Sequence, residues 1–376
     1  MSTLVTGPRS RHPLHALAAW VSVAIFVMLC ARVACSEPPA TTQVAKASEE
    51  IFVKAGPLPV DTFTLDWHDA ARQRDVPARV YMPRAMPHDG AGAGPFPVIL
   101  FSHGLGGSRD GYSYLGKHWA SHGYICVHLT HIGSDTAAVL GTGKPMEAAQ
   151  QSVADVRNAI NRPLDVTFAI DQLTALNATD PRLKGRLDLA RIGIAGHSFG
   201  GFTTLASAGQ IFVLPGGEKS LGDPRIKAAI AMSAPATNLD KAKLDRMYGA
   251  IKIPVLNMTG TKDNSPIGET KAEDRRVPFD HMGTVADAYL LTLKDGYHMI
   301  FSGRLLPLGP ADRRRQQLIL MSSTAFWDAY LKGDGAKAQD NAARAWLAEK
   351  GFDEALGKDG TFEKKLPGAA TRPATH

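Results

Sequence analysis

Arg191-Ile192-Gly193-Ile194-Ala195 runs directly into Gly196-His197-Ser198-Phe199-Gly200-Gly201, and Phe202 to Leu205 then reads as a helix. An almost wholly apolar run of five residues reads as a strand buried on both faces. A G-x-S-x-G turn between such a strand and a helix holds its central residue in a strained backbone conformation at the tip of a tight bend. Side chains two positions before and after the serine would collide, which accounts for Gly196 and Gly200, and Gly201 allows the helix to pack closely on neighbouring strands. Ser198 is therefore expected to stand clear of the sheet at the positive end of a helix, with the Phe199 N–H free to bind a developing oxyanion. An ordinary glycine-rich turn would need none of the companions described next.

Working outward, a second glycine-rich segment follows the strand Pro97–His103: Ser102-His103-Gly104-Leu105-Gly106-Gly107-Ser108. A loop of this HG-x-G type supplies a second oxyanion N–H, and by position Leu105 is the expected donor. It lacks the Gly-Lys-Ser/Thr ending of a nucleotide-phosphate loop. A serine hydroxyl needs an adjacent base at neutral pH. Of the 13 histidines, His298 follows the last strand, Ala288–Leu293. Asp263 follows the strand Pro254–Thr259 and completes the order Ser, Asp, His. Asp295, three residues from His298, is expected to shape that turn, and Asp240 is the rival acid after the preceding strand. His118 and His122 are spaced for half a metal site, but nothing in the sequence completes it, so no metal is assigned. The chemistry requires no cofactor.

The wider pattern is strand alternating with helix. Further candidate strands are Thr62–Trp67, Ala78–Met82, Ile125–Thr130 and Ala228–Met232, the first two forming an antiparallel edge hairpin. Candidate helices are Tyr112–Ser121, Ala148–Leu176, Phe199–Ala208, Arg313–Leu331 and Asn341–Glu349. This alternation predicts an α/β fold with a mostly parallel central sheet of about eight strands and helices on both faces. In open sheets of this kind the chemistry sits at the carboxyl ends of the strands, where Ser198, Leu105, Asp263 and His298 all fall.

Residues 1–36 read as a secretory signal peptide. Arg9 and Arg11 precede an apolar stretch from Ala16 to Ala31, followed by Ala34, Cys35 and Ser36. Sixteen residues are short for a membrane span of about 20; an anchor through 16–31, or lipidation at Cys35, is the alternative. Cleavage near Ser36 would leave Cys126 alone and export the protein to a periplasmic or extracellular space. Residues 37–58 read as a linker, 59–350 as the catalytic domain and 351–376 as a loose tail.

The net charge of +6 falls to +3 without the first 36 residues, which carry three arginines and no acid. The only basic tract, Arg313-Arg314-Arg315, reads as a solvated helix face, and no nucleic-acid partner is expected. With 44% hydrophobic and 21% charged residues the chain is neither disordered nor polytopic.

With these motifs in order, the chain resembles the α/β-hydrolase superfamily over roughly residues 60–335. Within it, FSHGLGG, GHSFGG, HWASHGY, HIGSD, and DNSPIG followed by DRRVPFD are similar to the platelet-activating-factor acetylhydrolase group and bacterial dienelactone-hydrolase-like relatives. The resemblance implies a serine esterase with Ser198, Asp263 and His298 as triad and Leu105 and Phe199 as oxyanion donors. It implies a small-molecule or lipid ester substrate, with short acyl chains. Dienelactone hydrolases proper usually carry cysteine where this chain has Ser198.

Gly104, His131, Met299 and Phe301 are the candidate pocket residues. For Met299, Ile300, Phe301, Leu305 and Leu306 the sequence leaves an apolar pocket wall and core packing both open. Polyester cleavage, acyl transfer and peptide cleavage on the same triad, or a non-catalytic binding module, are the other readings.

Overall fold

The computed structural model describes residues 50–84, 94–214, 216–303, 307–332 and 341–367. The expected signal peptide, and the anchor segment and Cys35 within it, lie outside the described residues, as do Leu305 and Leu306. In chain order the strands are β1 (Val60–Asp69), β2 (Arg74–Pro83), β3 (Phe96–Ser102), β4 (Ile125–Leu129), β5 (Leu187–His197), β6 (Ile211–Leu214), β7 (Gly217–Ser220), β8 (Ile226–Met232), β9 (Val255–Lys262), β10 (Ala288–Tyr297) and β11 (Gly360–Lys365). Among the described residues β6 and β7 form a small hairpin, and the other nine form one sheet in the order β1-β2-β4-β3-β5-β8-β9-β10-β11. The six strands from β4 to β10 pair in parallel. The pairs β1–β2, β2–β4 and β10–β11 are antiparallel.

The apolar runs fill both faces. Ile99 and Phe101 of β3 point into a core with Trp119, Phe326 and Trp327, while Val98 and Leu100 point into a second core with Val166, Ile170 and Leu173. Alternate residues of one strand feed opposite cores because strand side chains alternate in direction. The first core is covered by the helices Ser113–Ser121 and Pro310–Trp327, the second by Val156–Thr179.

Three expectations change. The single helix foreseen over 148–176 is two, Pro145–Ala154 and Val156–Thr179. Asp155 leaves helical geometry between them, and its carboxylate accepts from the Arg157 N–H to start the second helix. The tail is not loose over its first part. Gly351–Leu356 is a helix, and β11 adds a ninth strand against β10, with Phe352 fully buried and Phe362 stacked on Tyr289 at 5.4 Å. Its charged residues mask it in the sequence, as suits an edge strand. Residues 50–53 of the expected linker form a helical turn that buries Phe52 against Trp346.

Candidate active site

Ser198 sits between β5 and the helix Phe199–Ser207 with φ 58° and ψ −118°. For a residue with a Cβ this region costs about 1–3 kcal/mol. The strain is held by the Ser198 N–H donating to Met232 O on β8 (2.9 Å) and the Phe202 N–H donating to Ser198 O (3.1 Å). A Cβ on Gly200 would lie 1.9 Å from Ser102 O, and one on Gly196 would lie 2.3 Å from Gly200 O. Only glycine lets β3, β5 and the helix approach this closely.

His298 begins a 3-10 turn just after β10, and Asp263 follows β9. His298 Nε2 lies 2.9 Å from Ser198 Oγ, and His298 Nδ1 lies 2.8 Å from Asp263 Oδ1. A carboxylate only accepts, so Nδ1 carries the proton and Nε2 is left to accept from the serine hydroxyl. Asp263 is fully buried, and its other oxygen accepts from Ser233 Oγ (2.5 Å) and Thr259 Oγ1 (2.8 Å). Those two hydroxyls fix the carboxylate so that Oδ1 faces the ring.

The Leu105 and Phe199 N–H groups have no hydrogen-bond partner among the described residues, and both residues line a cavity of about 140 Å³ with Ser198 and His298. Gly104 and Met299 line it too, with Tyr112, Val153, Pro266, Ile267 and Arg275. Two expected pocket residues do not. Phe301 is fully buried and packs on His197 at 5.7 Å, because the turn after His298 drives it into the core. His131 is fully buried behind the Gly104 loop, bonded to Ser102 Oγ and Asp165 (each 2.9 Å).

The rival acids serve elsewhere. Asp240 caps the helix Lys241–Gly249, and Asp295, in a left-handed turn, pairs with Lys262. His118 and His122 bond to the carbonyls of Phe52 and Lys54. Of the arginine tract, Arg314 pairs with Asp359 and Arg315 with Asp312.

Residues 85–161 match the family model described as platelet-activating factor acetylhydrolase, isoform II. Similar proteins include the platelet-activating factor acetylhydrolases of Canis lupus familiaris and Cavia porcellus. The first is 28% identical over 46% of this chain and 41% of its own length, the second 29% over 31% and 32%. Cutinase 1 of Thermobifida cellulosilytica is 25% identical over 43% of this chain and 45% of its own. The chain thus spans less than half the length of the curated relatives it matches. The chain has the α/β-hydrolase fold.

Sequence reading missed several residues that shape this site. Arg275, almost fully buried, donates to the carbonyls of Ser233 (2.8 Å), Ala234 (3.0 Å) and Asp263 (3.1 Å), and its remaining nitrogen lies 3.3 Å from His298 Nδ1. Burial holds its pKa below the usual arginine value. Arg275 lies between β9 and β10, in the DRRVPFD segment whose resemblance gave it no assigned role. His197, the first x of the G-x-S-x-G turn, donates from Nε2 to His298 O (2.9 Å) and accepts at Nδ1 from the Tyr112 hydroxyl (2.9 Å). It thereby ties the turn that carries the serine to the turn that carries the imidazole. Burial lowers the His131 pKa to about 4, so its ring is neutral. Cys126 is buried and its thiol is pushed well up, so it is not a reactive nucleophile.

Proposed function

We propose that this α/β-hydrolase is a serine carboxylic-ester hydrolase working through an acyl-enzyme. The observation that carries the reading is the unbroken chain from Ser198 Oγ through His298 to Asp263, at 2.9 and 2.8 Å. His298 Nε2 takes the serine proton as Oγ attacks the ester carbonyl, and the Leu105 and Phe199 N–H groups receive the oxyanion. His298 then protonates the leaving alcohol and activates water for deacylation, while Asp263 holds the tautomer and stabilises the imidazolium.

The substrate class proposed is a lipid or small-molecule ester with a short acyl chain. Its support is the small apolar cavity, about the volume that accommodates a benzene-sized group, and the similarity to platelet-activating factor acetylhydrolases. A second reading, polyester cleavage, draws on the similarity to cutinases and on Met299 standing 37% exposed at the rim. Export through residues 1–36 belongs to the proposal; among the described residues no helix is long and apolar enough to cross a membrane.

The test is a panel of esters graded by acyl length, run beside a polyester film. Turnover should be greatest at two to four acyl carbons, and Ser198→Ala should lower it by about 10⁶. Labelling by a serine-directed phosphonate should be lost in the same variant. Near-native hydrolysis by Ser198→Ala would defeat the assignment, and release of soluble fragments from the film in preference to short esters would favour the second reading.

A further inference from the structure

We infer that Arg162, a fully buried arginine behind the site, is the positioning residue that holds both oxyanion donors of this esterase in register.

Arg162 lies on the helix Val156–Thr179 with no exposed surface. Among the described residues no carboxylate lies within ion-pairing distance of it. Its acceptors are neutral: Nε donates to Thr203 Oγ1 (2.8 Å), Nη1 to Ser134 Oγ (2.8 Å), and Nη2 to Ser102 Oγ (3.1 Å) and to His103 O. A buried guanidinium without a directly paired carboxylate is costly, and a side chain serving packing alone would be better replaced by an apolar one. Burial lowers its pKa to about 9, which leaves it charged at neutral pH.

What it touches gives the cost a purpose. One arm holds the segment that presents the Leu105 N–H. Arg162 fixes the His103 carbonyl. The His103 ring accepts the His131 N–H at Nε2 (3.0 Å), so its proton is on Nδ1 and donates to Gly104 O (2.6 Å). The Gly107 N–H donates to that same oxygen (3.0 Å). Gly104 O and the Leu105 N–H are the two ends of one planar trans peptide, so two donors on the oxygen aim the N–H the opposite way.

The other arm holds Phe199. Thr203 Oγ1, which accepts from Arg162, donates to Phe199 O (3.0 Å), and the guanidinium lies over the Phe199 ring at 4.5 Å. Arg162 therefore spans the two segments whose N–H groups must converge on one oxygen. Asp165 does not compensate it directly. That carboxylate is taken by Arg72, Arg74 and His131, which in turn accepts from Ser102.

The inference rests on the esterase reading, and the experiment separates the two. Wild type, Ser198→Ala, Arg162→Met and Thr203→Val are compared for kcat and KM on a p-nitrophenyl butyrate substrate. Affinity for a trifluoromethyl ketone, whose hemiketal adduct needs the oxyanion donors, is measured alongside. Arg162→Met should lower kcat about 10²-fold, the scale of losing one oxyanion donor. KM should stay within about twofold, as expected when an interaction made only in the transition state is lost. Ketone affinity should fall in parallel with kcat. A kcat that does not fall, or that falls while ketone affinity stays native, overturns the inference. If Arg162→Met does not fold, Thr203→Val decides by the same criteria, with about a tenfold loss of both kcat and ketone affinity expected. Hydrolysis surviving in Ser198→Ala would overturn the esterase reading itself.

Discussion

Gly200→Ala adds one methyl group at the point where the two halves of the site touch. The new Cβ would stand 1.9 Å from Ser102 O, 2.6 Å from Ser102 C and 2.9 Å from His103 O. All three atoms are backbone, so no side chain can swing aside. Reaching ordinary contact requires β3 and the serine turn to part by about 1.5 Å. Ser198 and Phe199 lie on one side of that gap, Gly104 and Leu105 on the other. A misplacement of about 1 Å can cost 10²-fold in rate, so kcat should fall by at least about that factor. Overpacking costs about 1–3 kcal/mol, and Tm should drop by roughly 2–10 °C. The control is Gly249→Ala, at the end of the helix Lys241–Gly249, where the Cβ would meet only His281 O at 3.7 Å. That change should be neutral or stabilising by up to about 1 kcal/mol. Scanning fluorimetry and initial rates on a short-chain ester decide the matter. A Gly200→Ala protein with native Tm and native turnover would refute the reasoning about this contact.

Asp263→Asn should lower kcat by about 10⁴ through loss of the productive tautomer, with the ester KM little changed; steady-state kinetics on the purified variant check it. Phe352→Ala should cost about 3–5 kcal/mol, read as a lower urea midpoint, because the ring is fully buried between Trp346 and Phe362. A native midpoint would mean that the C-terminal helix and β11 do not belong to the core. Stability should also fall on acidification. Burial first of all lowers the pKa of His118, His128 and His131, each to about 4. The unfolded chain binds these protons near 6.5 and the folded chain only near 4, so in between the unfolded state holds more protons. Stability is complete above about pH 6.5 and is lost towards pH 4, by up to about 3 kcal/mol per histidine. Asp165, whose pKa is held below the usual carboxylate value despite burial, adds its loss at still lower pH. Urea midpoints between pH 4 and 8 test this, and a flat profile would contradict it.

The two glycine turns, the order serine, acid, histidine and the doubly buried strands were legible because each is local. A tight turn, a parallel strand and a post-strand loop leave their marks within a few consecutive residues. β11 was not legible, since a six-residue edge strand with a single buried aromatic, Phe362, carries no periodic signal. The break at Asp155 was missed because helix propensity continues across it.

The sequence by itself determined which side chains could be nucleophile, base and orienter, because steric and acid–base requirements restrict the residue types at those turns. Only the tertiary structure decided what surrounds them: Arg275 against the Asp263–His298 pair, His197 tying two turns together, Arg162 bonded to both His103 and Thr203, and Phe301 and His131 withdrawn from the pocket. Each of these depends on contacts between residues 12 to 104 positions apart or on the burial of a whole turn. Such contacts follow from how strands and helices pack around the sheet, and no local stretch of chain encodes them.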